Sequence, residues 1–575
     1  MSDSLVVSLR ALPRADRRLL TVTFVAALIA LAIGIVLGLL TALARARVFT
    51  PEVETGYRAM TGHGVAAFFY WLYFAQVGLL LAFAATRTGA ARLAARPLAW
   101  AGVMAMTVGL GLGLLAPLLG TPGLYDASPD LVMDGAIGLG LAYVGYLFLA
   151  LGLAATATAA IVTALGAKSS GRVRQWSSLG FATVAWAGLL LVSAVAAVNA
   201  FLPAALWSLG LAPMPLDYST GWHILFHNLH YLPLMATVVV WYALVEEMTG
   251  VVSMFGARFS KFAFFLYLAL VPPTSLYHMF LDPNLAGPVR AVGSLLSLFV
   301  GVPTVLVFVI LVVSLETAAR AAGARGLFGW IGRLPWRQPA MSAMGAAVVN
   351  LAFGGVFAFV LIQEKLAPLL SDTFFVPGYF HFLTVGTVTL SLLAAMTVML
   401  PAVTGRAPWR PGFVAVLPWV TTVGLLLFGL GGMLAGFAGA PRRTLDIAYD
   451  GAAPVAWQGY MALVGIGGAI MTGAVAAMVF ALLRSLLAAP TAMTIAQLPT
   501  AMTIAQLPAA MTIAQLPTVT MSAPRPVAAT GAVGQHAWTA PLAILLLLAG
   551  MYGATALAFM AMNSLPIVAL GGGSH

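Results

Sequence analysis

The most informative segment of the chain is Gly221-Trp-His-Ile-Leu-Phe-His-Asn-Leu-His-Tyr231. It opens a long apolar segment and carries histidines at positions 223, 227 and 230. On an α-helix this spacing places the three imidazoles on one stripe. Ionisable side chains at membrane depth are costly and usually mark a pathway, a cofactor or a metal. Interfacial histidines that hydrogen-bond to neighbouring helices are the plainer alternative, but a cofactor site is favoured.

The composition is that of a protein embedded in a bilayer. Hydrophobic residues make up 62% of the 575 residues and charged residues only 7%, which is far too apolar for a soluble core. The net charge of +11 comes from basic residues in short loops, the pattern that orients membrane proteins, so no nucleic-acid partner is expected. The chain has no cysteine, which excludes disulfides, thiolate metal sites, iron–sulfur clusters and c-type haem on this chain.

Apolar segments long enough to cross a bilayer recur thirteen times. They lie near residues 19–44, 62–86, 98–120, 135–165, 178–203, 222–248, 260–281, 291–318, 341–363, 376–400, 412–437, 456–487 and 538–563. The sequence therefore predicts an all-α, polytopic membrane protein with about 13 transmembrane helices.

Charge in the loops predicts the orientation. Of the 27 Lys and Arg residues, 20 lie on one side of the thirteen segments and 7 on the other, so the N-terminus is expected in the cytoplasm and the C-terminus outside, in a prokaryotic inner membrane. We divide the chain into a cytoplasmic tail (1–18), a twelve-helix core (19–487), a cytoplasmic linker (488–537) and a thirteenth helix with an outer tail (538–575). The linker holds a tandem nonapeptide, TAMTIAQLP, which we interpret as a recent duplication rather than a docking segment.

With this topology, histidines from four non-neighbouring segments lie at one depth. They are His63, His227, His230, His278 and His381. All five fall in the outer third of the bilayer, and neutral imidazole is the usual ligand for haem iron, copper and non-haem iron. The sequence therefore predicts a layer of cofactors near the outer face.

Two arginines lie just above this layer. Arg442 and Arg443 are adjacent in the loop between segments eleven and twelve. Paired guanidinium groups bind carboxylates in a bidentate manner, which would suit haem propionates. An ordinary interfacial anchor is the alternative, and it is less favoured beside a histidine layer.

Several stretches together resemble subunit I of the haem–copper oxidase superfamily, and its B-type (ba-type) branch most of all. They are Thr61-Gly-His-Gly64, the His227-x3-Tyr231 pattern, the run from Gly326 to Trp336, Val376-Pro-Gly-Tyr-Phe-His-Phe382 and Pro441-Arg-Arg443. The likeness covers roughly residues 15–487 and, more weakly, the thirteenth segment. It implies a respiratory electron-transfer protein of the inner membrane.

The resemblance assigns a role to each matching residue. His63 and His381 match the two axial ligands of a low-spin haem b. His227 and His278 match ligands of the copper site, and Tyr231 matches the active-site tyrosine that oxidases link to the first of these. The proton path of the family is matched by Tyr242 and Thr304, with Ser297 nearby.

Two family positions are changed here. Tyr277 stands where the family has a histidine of the second metal site, and Tyr379 stands where it has the axial histidine of the high-spin haem. Tyrosinate can ligate haem iron but favours the ferric state. His230 is a further candidate ligand for the second metal, either copper or non-haem iron. The second haem and this metal are therefore open questions.

Two functions follow from the resemblance. The first is a terminal reductase of oxygen or nitric oxide with a remodelled haem–metal centre. The alternative is a non-catalytic haem b relay in a larger respiratory complex, so the sequence leaves open whether the chain is an enzyme. A structural or transport protein would not explain the shared depth of the histidines. Electrons are expected from a subunit II-like partner or a cytochrome c on the outer face, with other respiratory subunits attached.

Overall fold

The computed structural model describes residues 4–120, 124–129, 136–215, 218–251, 256–272, 301–363, 366–444, 453–488 and 539–564, and four single positions between 288 and 299. Some side chains in the helices at 136–169, 218–249 and 539–564 lie outside the described set. In the described part of the chain all regular structure is helical, and the strand geometry there is limited to isolated bridge positions, among them the pair Thr373 and Pro441.

Among the described residues, fourteen main helices form the bundle, besides short helical turns at Ala116–Leu118, Ile331–Arg333, Ala367–Leu370 and Pro411–Val414. They are α1 Leu5–Ala11, α2 Arg14–Arg45, α3 Val53–Arg87, α4 Arg96–Leu115, α5 Ala136–Ser169, α6 Ser178–Ser208, α7 Tyr218–Thr249, α8 Ala257–Leu270, α9 Val302–Ala321, α10 Pro339–Leu361, α11 Phe375–Thr404, α12 Leu417–Phe437, α13 Val455–Ser485 and α14 Thr539–Ser564. Each helix after α1 matches one predicted segment in order, so the all-α membrane fold is confirmed.

Eleven helices are long and apolar enough to cross a membrane, counting the described residues only. The seventh predicted segment is described only as far as residue 272, and several side chains of α14 lie outside the described set. The count of thirteen spans therefore stays a prediction. Within the predicted cytoplasmic tail, Leu5, Val6 and Leu9 of α1 are buried against the bundle.

Small residues let the helices pack closely. A Cβ on Gly424 of α12 would lie 2.5 Å from the backbone nitrogen of Met471 of α13, and a Cβ on Gly431 would lie 2.7 Å from the carbonyl oxygen of Tyr460. Between membrane helices the driving force is close van der Waals contact rather than the hydrophobic effect, so small residues gather at such interfaces. This packing brings α12 and α13 against α2 and α11.

Two of the helices contain π-helical stretches. Residues Gly64–Trp71 of α3 and Phe382–Thr389 of α11 are π-helical, and each stretch begins directly after a histidine, His63 and His381. A π-helical turn widens the helix and shifts the side chains that follow, and such turns are frequent at functional sites. The two predicted haem ligands thus occupy the same local backbone context in two different helices.

Candidate haem site

The imidazoles of His63 and His381 face each other across the bundle. Their ring centroids lie 6.4 Å apart and the ring planes differ by only 8°. Two metal–imidazole bonds of about 2.0 Å, with about 1.1 Å from each nitrogen to its ring centre, would put the centroids about 6.2 Å apart when both rings bind one ion. The observed separation therefore fits two imidazoles that share an iron atom between them.

Each ring is held by a backbone carbonyl. Nδ1 of His63 donates to the Gly34 oxygen at 2.7 Å, and Nδ1 of His381 donates to the Pro377 oxygen at 2.7 Å. A carbonyl can only accept, so Nδ1 carries the proton and Nε2 is the unprotonated nitrogen of the neutral ring. This arrangement fixes the ring and is the usual support for a metal-binding histidine.

The two histidines line one large cavity of about 1590 Å³. Binding pockets for single small molecules usually hold about 300–1000 Å³, so this one has room for more than one such group. The wall also contains five of the other predicted site residues, namely Tyr231, Thr304, Tyr379, Arg442 and Arg443. The structure thus brings together residues from α3, α7, α9 and α11 with the loop after α12.

Tyr379 lies two residues before His381 on α11 and is buried. Its ring is 5.9 Å from the ring of Phe375 and 6.5 Å from that of Phe380. It lines the same cavity as Tyr231 of α7. Both tyrosines therefore lie in the wall of the cavity that His63 and His381 also line.

The arginine loop forms one wall of the cavity. Arg442 Nη2 donates to Asp372 Oδ1 at 3.0 Å, while its Nε is buried and makes no hydrogen bond to any residue the structure describes. Arg443 pairs with the buried Asp126 at 3.3 Å. A buried guanidinium nitrogen that lacks a partner is costly. This donor, in a cavity wall with two imidazoles, suits a carboxylate of a bound haem.

A third arginine, which the sequence did not single out, secures this loop. Arg45 at the end of α2 is buried and donates to the carbonyl oxygens of Arg442 at 2.6 Å and Pro441 at 3.4 Å. Its guanidinium also lies 4.8 Å from the centre of the Phe374 ring. A charged residue that ends an apolar segment looks like an interfacial anchor in the sequence, and only the fold shows its contact with residues 441 and 442.

Beside the arginine loop lies Tyr125, in the segment that follows α4. Burial raises the pKa of its hydroxyl, while the guanidinium groups of Arg442 and Arg443 act in the opposite direction. Its ring also packs on Gly64, directly after His63, where an added Cβ would lie 2.7 Å from the Tyr125 Cβ. The wall of the cavity at the arginine loop is therefore polar and densely packed.

The predicted proton-path residues fall into two hydrogen-bonded pairs. Tyr242 Oη lies 2.8 Å from Ser260 Oγ, and Thr304 Oγ1 lies 2.9 Å from Tyr267 Oη. Ser260 and Tyr267 were not predicted from the sequence because neither belongs to a motif that resembles the oxidase family. Their spacing of seven residues, which places both side chains on one helix face, could have identified them as a pair.

The remaining predicted site residues lie outside the described part of the structure. The backbone of α7 includes the positions of His227 and His230, but their side chains are not described. Tyr277, His278 and Ser297 fall in the undescribed region between α8 and α9. The candidate second metal site therefore stays a prediction.

The family model for cytochrome c and quinol oxidase polypeptide I matches residues 18–470. This range spans α2 to α13, including both facing histidines and the arginine loop. The chain belongs to the oxidase subunit I family. This family of multi-pass membrane proteins binds haems and copper and works with a subunit II.

Individual relatives show how far the oxidase subunit I likeness extends. Cytochrome c oxidase subunit 1 of Thermus thermophilus is 31% identical over 268 residues, which are 46% of this chain and 47% of that protein. The Corynebacterium diphtheriae protein of the same name is 30% identical over 206 residues, or 36% of this chain and 35% of the relative. The chain thus spans about half, or less, of the length of the relatives it matches.

A solved oxidase structure shares the fold. A heme-copper terminal oxidase dimer determined by cryo-EM matches 84% of this chain and 86% of its own, with a TM-score of 0.76 and 22% sequence identity. At this identity the likeness concerns the fold. The bundle of this chain therefore has the same fold as that oxidase chain.

Proposed function

We propose that this chain is the haem-bearing subunit of a membrane-bound terminal reductase, for oxygen or nitric oxide, whose second metal centre has been remodelled. The parallel pair of His63 and His381 in the cavity wall carries the proposal. A low-spin haem b bound there would supply one-electron transfer. We place the protein in the B-type branch because of the motifs around His63, Tyr231 and His381.

The protein would contribute two haem ligands that are already held in place and the positive charge of two arginines. His63 and His381 need no reorganisation, because each Nδ1 proton is already donated to a carbonyl oxygen. Arg442 and Arg443 would hold the propionates, with Arg442 Nε as a buried donor. Positive charge at this place stabilises the extra electron of the reduced state. An electron donor, either a subunit II-like protein or a cytochrome c, would approach from this outer face.

We assign the remodelled centre to the space between Tyr379 and Tyr231. Tyr379 would replace the family's histidine at a high-spin haem, and its phenolate would favour ferric iron. His227, His278, His230 and Tyr277 are the candidate ligands of a second metal, copper or non-haem iron. Protons would reach this centre along Tyr242, Ser297 and Thr304.

The alternative is a relay subunit with low-spin haem b alone. It is favoured by the two tyrosines, Tyr277 and Tyr379, at positions where the family has histidines. The retained Tyr231 and Thr304 in the cavity wall favour the reductase. The number of haems per chain separates the two functions.

The test is a haem count on the purified full-length protein, with EPR spectra of the oxidised form. Two haems, one of them high-spin, would support the reductase, and one low-spin haem would support the relay. His63→Ala and His381→Ala should each abolish the low-spin signal, whereas His536→Ala, in the predicted linker, should preserve it. Wild-type protein without haem, or with an unchanged low-spin signal in both alanine variants, would refute both functions.

A further inference from the structure

Two hydroxyl pairs lie between the basic end of the bundle and the large cavity. Ser260 and Tyr267 are seven residues apart on α8, so they lie on one face, two turns or about 10 Å apart. Ser260 contacts Tyr242 and Tyr267 contacts Thr304, at 2.8 and 2.9 Å. Helix α8 thus presents one hydroxyl to α7 and a second to α9.

The two hydroxyl pairs lie at different levels of the bundle, one near its basic end and one at the cavity. Ser260 is fully buried between Arg258 and Lys261 in the sequence, at the end of the bundle that carries most of the basic residues. Thr304 lies in the wall of the cavity that Tyr231 also lines. The pair of Tyr242 and Ser260, the lower pair, is therefore near the basic end. The pair of Tyr267 and Thr304, the upper pair, is at the cavity.

Between the pairs the face of α8 is apolar. Phe264 is fully buried, four residues after Ser260 and three before Tyr267, and its ring centroid is 5.2 Å from that of Tyr242. The upper pair is buried as well, with Tyr267 1% exposed. A buried hydroxyl needs a hydrogen-bond partner. The partner of Tyr267 is the Thr304 hydroxyl, which can both accept and donate a hydrogen bond. A backbone carbonyl could only have accepted.

We propose that Tyr267 is a proton-transfer residue that delivers protons to the cavity through Thr304. The Tyr267 O–H donates its proton to Thr304 Oγ1 as the Thr304 O–H passes its own proton into the cavity. Tyr267 recovers a proton from a water molecule on the side of Ser260 and Tyr242, because about 10 Å along α8 is too far for direct transfer between the hydroxyls. Both hydroxyls end neutral and no electron moves. This inference rests on the proposed function, because reduction of a centre in the cavity is what draws protons there.

Two variants remove one hydroxyl each: Tyr267→Phe keeps the ring, and Thr304→Val keeps the shape of the side chain. A third variant, Thr304→Ser, keeps the hydroxyl. Tyr143→Phe is the matched control, since this equally buried tyrosine donates to the Ala127 carbonyl at 2.8 Å, outside the path. The full-length protein is photoreduced in unbuffered detergent solution, and a pH-indicator dye reports proton uptake while absorbance reports haem reduction.

We expect Tyr267→Phe and Thr304→Val each to slow proton uptake by at least about tenfold, with the haem spectrum and the rate of haem reduction unchanged. The double variant should be no slower than the slower single variant, because both hydroxyls serve one path. Thr304→Ser and Tyr143→Phe should match wild type. A purely structural role would instead lower stability or haem content without a specific loss of uptake.

The outcomes separate this inference from the proposed function. A haem-loaded Tyr267→Phe variant with wild-type uptake would overturn the role of Tyr267. Wild-type protein that binds haem and takes up no proton on reduction would also overturn it, while the haem assignment would stand. Protein without haem would overturn the proposed function and this inference with it.

Discussion

Gly38 of α2 lies directly against the imidazole of His63. A Cβ on residue 38 would be 2.6 Å from the Nδ1 of His63 and 2.7 Å from its Cε1, closer than real Cβ atoms approach. The same Nδ1 donates to Gly34, one turn earlier on α2. The position of this candidate haem ligand is therefore set by a helix that contributes no ligand itself.

Gly38→Ala should displace the His63 ring. Overpacking of this kind costs about 1–3 kcal/mol, and here the ring would have to leave its carbonyl partner. We expect reduced haem content and an altered low-spin EPR signal. Gly111→Ala on α4 is the control, because nothing lies within 4 Å of its added Cβ. Equal haem spectra in the two variants would contradict the prediction.

Arg442→Gln should lower the midpoint potential of the low-spin haem. Loss of a cation beside the site disfavours the reduced form, by roughly 20–100 mV for a partly buried charge. A spectroelectrochemical titration measures the shift. The control is Arg58→Gln, which removes a more exposed arginine from its pair with Glu54 and should leave the potential unchanged. A potential that is the same in both variants would remove Arg442 from the propionate site.

Tyr379→Phe should leave the low-spin haem intact, because the buried ring still fills its place between Phe375 and Phe380. If its phenolate is a ligand, the variant loses the ferric-tyrosinate bands in the resonance Raman spectrum and its high-spin EPR signal changes. Tyr70→Phe, at another buried tyrosine whose hydroxyl donates to Gly145, should change neither. Wild-type protein that lacks these bands would exclude Tyr379 as a ligand.

Arg45→Met should destabilise the arginine loop while keeping an unbranched side chain in its place. The substitution removes charge-assisted hydrogen bonds to the carbonyl oxygens of residues 441 and 442, each worth about 1.5–3 kcal/mol. Thermal unfolding in detergent should shift to lower temperature, with weaker haem retention. The exposed Arg47, two residues later, gives the control variant Arg47→Met, which should unfold like wild type. Identical unfolding of both would show that the buried contacts of Arg45 contribute little.

The apolar segments made the helices predictable. Twenty or so consecutive apolar residues must satisfy their backbone hydrogen bonds internally when no water is present, and a helix does this for each segment by itself. Boundaries were less predictable. Helix α3 begins at Val53, nine residues before the predicted segment, because its first turns are amphipathic rather than apolar. His63 consequently lies ten residues inside the helix instead of at its start.

The membrane class, the order of the helices and a common depth for His63 and His381 could be predicted from the sequence, because these depend on local composition and on the length of each segment. The fold was needed to show that the two imidazoles are parallel and 6.4 Å apart, that Gly38 and Arg45 contact the site, and that Tyr267 hydrogen-bonds to Thr304. These relationships depend on how helices rotate and approach one another, and on the π-helical turns after each histidine. Packing between distant segments sets those quantities, and no single segment encodes them.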